Sequence, residues 1–349
     1  MKKIISIVFI LVLFITMNAA SAGEYTGKPI KAKYASGQRE GDFMTIMGRK
    51  FADHMKEWSD GKIDIAVFPL GTLGTTKDIT ETVQLGVIQF AGVSSAWWST
   101  VVPQTQVMTL NYLWPSEKVP EVLAWIMKKG EFMPLLEESY NKKGLVPLAL
   151  LYQGWMWLSS NKEIKSLDDM KGLKLRLMSS KLLVENYRAY GTAPTTMPFG
   201  EVYSGLQMGL IEAQINPVWA IYSMKFYEVQ DYITNLKNET IQGIPVVNKQ
   251  FFEGLPKNVQ QEITDFWWNQ IIPAGKFFDD TDAVSATKIK KNKPNIKFNV
   301  LDDATIAAFR AKAEKAYPTF VEIGGEGSQE IIDALLRDIK NAKIALGIN

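Results

Sequence analysis

The stretch Lys171–Pro217, KGLKLRLMSSKLLVENYRAYGTAPTTMPFGEVYSGLQMGLIEAQINP, constrains the fold more than any other part of this chain. Leu173, Leu175 and Leu177 alternate with Lys174 and Arg176, the period-two pattern of a strand. Ser179 and Ser180 stand where a helix cap belongs, the helix they open runs to Tyr190, and Gly191 sits just past its end. Ala193–Met197 reads as the next strand, stopped by Pro198, and Gly200–Leu210 as a second helix. Strand, helix and strand make a βαβ unit, which sets two strands side by side in a parallel sheet.

Arg176 falls late in the first of these strands. An α/β layer usually has helices on both faces of its sheet, and a guanidinium there keeps its proton and needs an anionic partner. The C-terminal ends of such strands border the ligand crevice, where an arginine can form a two-pronged pair with a carboxylate. Pattern alone is equally met by a cation on a short edge strand that reaches solvent or an internal Asp.

The blocks KGLKLR, MPFGEVYSGLQMG and EAQINP follow one another within these 47 residues, and KFYEV comes next. In this order and spacing they resemble the solute receptors of tripartite ATP-independent periplasmic (TRAP) transporters. A fainter likeness runs from about Lys33 to the C-terminus. The resemblance implies an α/β, two-lobed periplasmic-binding-protein fold with discontinuous lobes, a long bridging helix and a ligand cleft between the lobes. It also implies that Arg176 holds the carboxylate of the ligand, that Asn216 lies in the cleft and that Phe199 lies against the ligand. Many relatives carry a second arginine in the loop that here reads Gln153-Gly154-Trp155-Met156-Trp157, and Met156 takes its place. That departure speaks against a polyanion or sugar acid held by two arginines, and it substitutes an apolar site flanked by Trp155 and Trp157.

Residues 1–22 read as an export signal: Lys2 and Lys3, an apolar run of 14 residues from Ile4 to Met17, then Ala20-Ser21-Ala22, with cleavage expected before Gly23. A membrane anchor is the other reading, but the run is short for a bilayer. Removing Lys2 and Lys3 leaves 37 basic against 37 acidic residues, a balance that disfavours a nucleic-acid or anionic-membrane partner. The chain has no cysteine, so neither disulfides nor a lipid-modified cysteine belong to it. The 327 residues that remain exceed what one core usually serves. Lobe I is expected over 23–153 plus 242–281, and lobe II over 154–241 plus 282–349.

Along the first lobe, Ile30–Tyr34, Lys62–Phe68 and Ile88–Val93 read as strands, with helices over Phe43–Trp58 and about Lys77–Leu85. His54, the one histidine, lies beside the apolar stripe of the first helix and is given no function. The third strand runs into Ser94-Ser95-Ala96-Trp97-Trp98, where a tryptophan serves either as core packing or as a floor for the ligand, so Ser94 and Trp97 are site candidates. Val119–Tyr140 reads as helical with a break at Gly130, and Val146–Tyr152 as a strand. In the aromatic run after Asn216, Trp219 is the site candidate because it adjoins the asparagine. A long helical pattern from Pro256 to about Lys290 is expected to kink near Pro273, and two amphipathic helices over 302–323 and 328–345 to complete lobe II.

No GxSxG, HExxH, Walker A or strand-borne GxGxxG is present, and without cysteine the usual nucleophile–base pairs are missing. No catalytic residue, cofactor or metal is expected. The chain therefore reads as a monomeric exported receptor that delivers a small organic anion to the integral membrane subunits of a TRAP transporter. Two alternatives stay open: a receptor holding a zwitterionic or cationic solute in an aromatic cage, and a periplasmic enzyme built on paired carboxylates.

Overall fold

The computed structural model describes residues 25–348; the expected export signal and its cleavage before Gly23 lie outside the described residues. Among these residues the strands are β1 (Ile30–Ser36), β2 (Ile63–Phe68), β3 (Phe90–Ser94), β4 (Leu145–Pro147), β5 (Leu151–Trp155), β6 (Trp157–Ser160), β7 (Lys174–Leu177), β8 (Ala193–Thr196), β9 (Ala213–Asn216), β10 (Tyr232–Asn235), β11 (Thr240–Asn248) and β12 (Lys297–Val300). They form two sheets. One has the order β2-β1-β3-β11-β4 with β5 also paired to β11, and the other the order β12-β10-β6-β9-β7-β8.

The βαβ unit forms as its sequence pattern implies. β7 and β8 run parallel with Arg176 opposite Thr195, joined by the helix Lys181–Ala189. The Ser180 hydroxyl accepts from the Leu183 amide at 3.4 Å, and Gly191 takes φ +90°, a conformation a Cβ would penalise. The helix Phe43–Trp58 buries Met44, Met47, Phe51 and Met55 as one stripe against the first sheet. His54 pairs with Glu262 and lies against the ring of Phe266, a structural role between two helices.

The chain passes from the first sheet to the second at Met156, returns between Asn235 and Thr240, and leaves again along the helix Ile271–Asn292. The first two crossings are tied together, because the Met156 amide donates to the Glu239 carbonyl at 2.9 Å. The long helix packs on β5, on the helix Val119–Lys129 and on the helix Val218–Ser223, and so touches both lobes. No helix of the described residues is long and apolar enough to cross a membrane.

Several elements differ from expectation, each for a local reason. The strand expected over Val146–Tyr152 is split into β4 and β5 by Leu148–Leu150, where the Leu148 amide still reaches the Pro245 carbonyl at 2.8 Å. The pattern after Pro256 is two helices, Lys257–Trp268 and Ile271–Asn292, divided at Asn269 and Gln270. Pro273 thus lies in the first turn of the second helix, where its missing N–H removes no helical bond. Trp97 and Trp98 sit in a short helix, Ser95–Trp98, just past β3. The C-terminal helix Ser328–Leu346 does not join the second lobe: it packs on the helices Val119–Lys129 and Phe132–Asn141 of the first. Asp338 fixes it there by accepting from the Phe132 amide at 2.8 Å.

Candidate ligand-binding site

The loops that follow β1, β3 and β9 meet between the sheets around a cavity that holds about 430 Å³ of space free of atoms, its mouth included. Gln38, Ser94 and Trp97 come from the first lobe, Phe199, Asn216 and Trp219 from the second. Gln153 and Ile241 enter from the two strands that lead into the crossings. A molecule here touches both lobes, so its binding is coupled to the angle between them.

Arg176 is fully buried in β7. Its Nε and Nη2 donate to the Met197 carbonyl at 3.0 and 2.7 Å, while Nη1 has no hydrogen-bond partner among the described residues. No ion pair with a carboxylate joins it there. Desolvation pushes its pKa down to about 9, so it stays charged at neutral pH at a cost in free energy. The guanidinium carbon lies 5.9 Å from the centre of the Phe199 ring, and that ring forms part of the cavity wall. Arg176 is thus a buried cation without a counter-charge among the described residues, one ring away from an interlobe cavity.

Asn216 ends β9 and is held by a chain of buried polar groups. Gln230 Nε2 donates to the Val229 carbonyl at 3.1 Å, so Gln230 Oε1 is left to accept from the Ser159 hydroxyl, also at 3.1 Å. Ser159 Oγ accepts from Gln214 Nε2 at 2.8 Å, and Gln214 Oε1 accepts from Asn216 Nδ2. The orientation of each amide follows from the one before it. Oδ1 and the second N–H of Asn216 take no part in this chain, and the residue borders the cavity.

Trp219 is oriented at both ends. Its indole N–H donates to the Gln153 carbonyl at 2.8 Å and its amide to Asp282 Oδ1 at 2.8 Å, so toward the cavity it offers an aromatic face. Burial, with a smaller contribution from Asp279, pushes the Asp282 carboxyl up to about 7 against the pull of that amide bond.

Of the residues singled out in the sequence, Ser94, Trp97, Phe199, Asn216 and Trp219 line the cavity, and Arg176 adjoins it through Phe199. Trp155, Met156 and Trp157 are not part of the wall. Met156 is buried in the crossing, Trp155 is half-buried opposite Thr240, and Trp157 meets Phe298 edge-on at 6.0 Å. The wall itself contains no lysine or arginine. The wall contains no aspartate or glutamate either. Gln38, Thr76, Gln153 and Met178 line it as well and have no motif of their own in the sequence. Among the described residues no cluster of His, Asp or Glu is arranged to hold a metal ion.

The model of the family described as bacterial extracellular solute-binding protein, family 7, matches residues 35–323. The chain is 30% identical over 308 residues to the ectoine/5-hydroxyectoine-binding periplasmic protein UehA of Ruegeria pomeroyi, covering 88% of this chain and 90% of that protein. Its structure is similar to that of the periplasmic ectoine-binding protein of the TeaABC TRAP transporter of Halomonas elongata, with a TM-score of 0.84 at 30% identity, over 89% of this chain and all of the other. A TRAP periplasmic solute-binding protein from Desulfovibrio salexigens with bound orotic acid superposes with a TM-score of 0.82 at 27% identity, over 89% of this chain and 99% of that one.

Proposed function

Because the chain belongs to the bacterial extracellular solute-binding proteins of family 7, the receptors of TRAP transporters, we propose that it captures a small monocarboxylate with an apolar or aromatic portion for its membrane subunits. It is a periplasmic receptor, as its relatives are, and not an enzyme. The leader over residues 1–22 is the proposed export signal.

One observation carries the proposal: the buried, uncompensated guanidinium of Arg176 beside a wall that offers no other cation and no acid. One fixed cation neutralises one carboxylate, and a second buried carboxylate left unpaired costs several kcal/mol. Around it, Trp97, Phe199 and Trp219 gain from burying an apolar body at about 25 cal/mol per Å². Capture needs no covalent step. The lobes close about the tied crossings at Met156 and Glu239, and the solute bridges them.

A zwitterionic solute is the second reading, favoured by the ectoine-binding relatives and by the three aromatic rings of the wall. Its cationic part has no carboxylate to meet there. Calorimetry on the purified protein with matched mono- and dicarboxylates and with ectoine decides between them. The monocarboxylate is expected to bind tightest; tighter binding of the dicarboxylate or of ectoine defeats the proposal.

A further inference from the structure

Outside the cavity wall, two surface segments of opposite lobes are joined by a reciprocal pair of hydrogen bonds. Arg39 and Asp42 lie between β1 and the helix Phe43–Trp58 in the first lobe, and Ser223 ends the helix Val218–Ser223 of the second. Arg39 Nη1 donates to the Ser223 carbonyl at 2.7 Å. The Ser223 hydroxyl donates in return to Asp42 Oδ2 at 3.0 Å. None of the three residues borders the cavity. The acceptor on the second lobe is one of the terminal carbonyls that a helix leaves without an internal partner.

Asp42 departs from what its position predicts. It stands at the N-cap of the helix Phe43–Trp58, where an aspartate normally accepts from one of the first helical amides, yet its side chain caps nothing there. Gln38 takes over that task, since its Oε1 accepts from the Met44 amide at 2.8 Å. The Asp42 carboxylate is left to hold the Arg39 amide at 3.2 Å and the hydroxyl of Ser223. Asp42 is buried, and of its two donors among the described residues one comes from each lobe. A carboxylate withdrawn from water gains from every donor it keeps, so its burial favours the joined lobes. Both ends of the contact are continuous with the cavity wall: Gln38 precedes Arg39, and Trp219 belongs to the helix that Ser223 ends.

We propose that Arg39, Asp42 and Ser223 form a latch that draws the lobes closed on its own, apart from any solute. Its bonds are made between the lobes and not to the cavity, so they stabilise the closed form whatever lies between the walls. A solute then meets a receptor whose closed form is already populated, which raises the affinity for every solute by one factor and leaves selectivity to the wall. Arg39 gives a single N–H to a single carbonyl here. A lysine can therefore stand in for it, unlike at a site that needs a planar fork.

The test needs no solute. The chain has no cysteine, so a pair of spin labels goes only where cysteines are introduced. Lys50→Cys on the helix Phe43–Trp58 and Gln207→Cys on the helix Val202–Gln207 are exposed and put one label on each lobe. The distance between them is measured by pulsed electron resonance on purified protein that has been unfolded, dialysed and refolded to strip any bound solute. The parent chain is expected to show a closed and an open population. Arg39→Met and Ser223→Ala should each lower the closed-to-open ratio by roughly three- to tenfold, and the double variant should lower it further. Arg39→Lys should stay within about twofold of the parent, since one ammonium serves one carbonyl. Arg39 is exposed and Ser223 half-buried, so the variants should melt within a few degrees of the parent. The same distance distribution in the parent and in the double variant overturns the proposal, whether both are open or both are closed.

Discussion

Arg176 gives its side-on pair of N–H groups to the main-chain carbonyl of Met197, Nε at 3.0 Å and Nη2 at 2.7 Å. The end-on fork, Nη1 with the second N–H of Nη2, is left over, and Nη1 has no other partner among the described residues. Met197 lies between β8 and Phe199, so the same turn that places the ring in the cavity wall also sets the angle of the guanidinium.

Arg176→Met should therefore separate binding from stability. The empty protein carries a buried cation without a counter-charge, and an apolar side chain of similar length relieves it, so the melting temperature in the absence of ligand is expected to hold or rise. Carboxylate binding should fall by at least about 100-fold, because the ligand's charge is then buried unpaired. Arg176→Lys should bind poorly too, since one ammonium cannot hold Met197 and present a fork to the solute. A melting temperature that drops by many degrees in Arg176→Met would mean that the guanidinium is a structural group.

The reach of the sequence follows from how local each feature is. Arg176, Phe199 and Asn216 sit within one stretch whose strands and helices are set by alternation, caps and glycine, so their shared neighbourhood follows from the βαβ unit. Gln38 and Gln153 meet only because β1, β3 and β11 pair as they do, and no spacing in the chain connects them. Trp155 and Trp157 follow the cavity-lining Gln153 closely in the sequence, but they lie on either side of the crossing at Met156, and Trp157 meets Phe298 of the second lobe edge-on. The amphipathic pattern of Ser328–Leu346 marks a face to be buried without marking its partner, which turns out to be the first lobe. The short β10 and β12 have too few residues for alternation to stand out.

Asp282 should make the protein less stable as pH rises. Its carboxyl titrates near 7 in the folded chain against about 3.8 when unfolded. Between these values the folded state holds a proton that the unfolded state has lost, so stability falls with rising pH and the penalty is complete above about 7. The penalty is on the order of 2–4 kcal/mol, the group being partly exposed. Asp282→Asn keeps an acceptor for the Trp219 amide and cannot ionise. Its melting temperature is expected to exceed that of the wild type at pH 8, with the difference fading toward pH 4. A constant difference across that range would remove Asp282 as the titrating group.

Asp338 gives the C-terminal helix its seat on the first lobe. Asp338→Ala leaves the Phe132 amide buried without an acceptor, at a cost of about 1–3 kcal/mol in denaturant unfolding. Asp338→Asn retains an acceptor and should recover most of that loss. Solute affinity should be the same in both variants, since neither residue borders the cavity. Loss of affinity in Asp338→Ala would tie the C-terminal helix to the cleft.

Gly243→Ala tests whether the space over β11 serves the site or only the core. The added methyl meets Gln153 Nε2 and Met44 Sδ, the far ends of two flexible side chains, and not the main chain. The position is in regular extended strand, and Gly243 is absent from the positive-φ glycines, so alanine brings no backbone strain. Relief requires the Gln153 amide to swing away, which breaks its bond from Gln38. Stability is expected to fall by about 1–3 kcal/mol, the usual cost of overpacking. Solute affinity, read by calorimetry, is expected to change by less than about threefold, because neither Gly243 nor Met44 borders the cavity. A larger loss of affinity would mean that the seating of Gln153 on Gly243 shapes the cavity wall, where Gln153 stands.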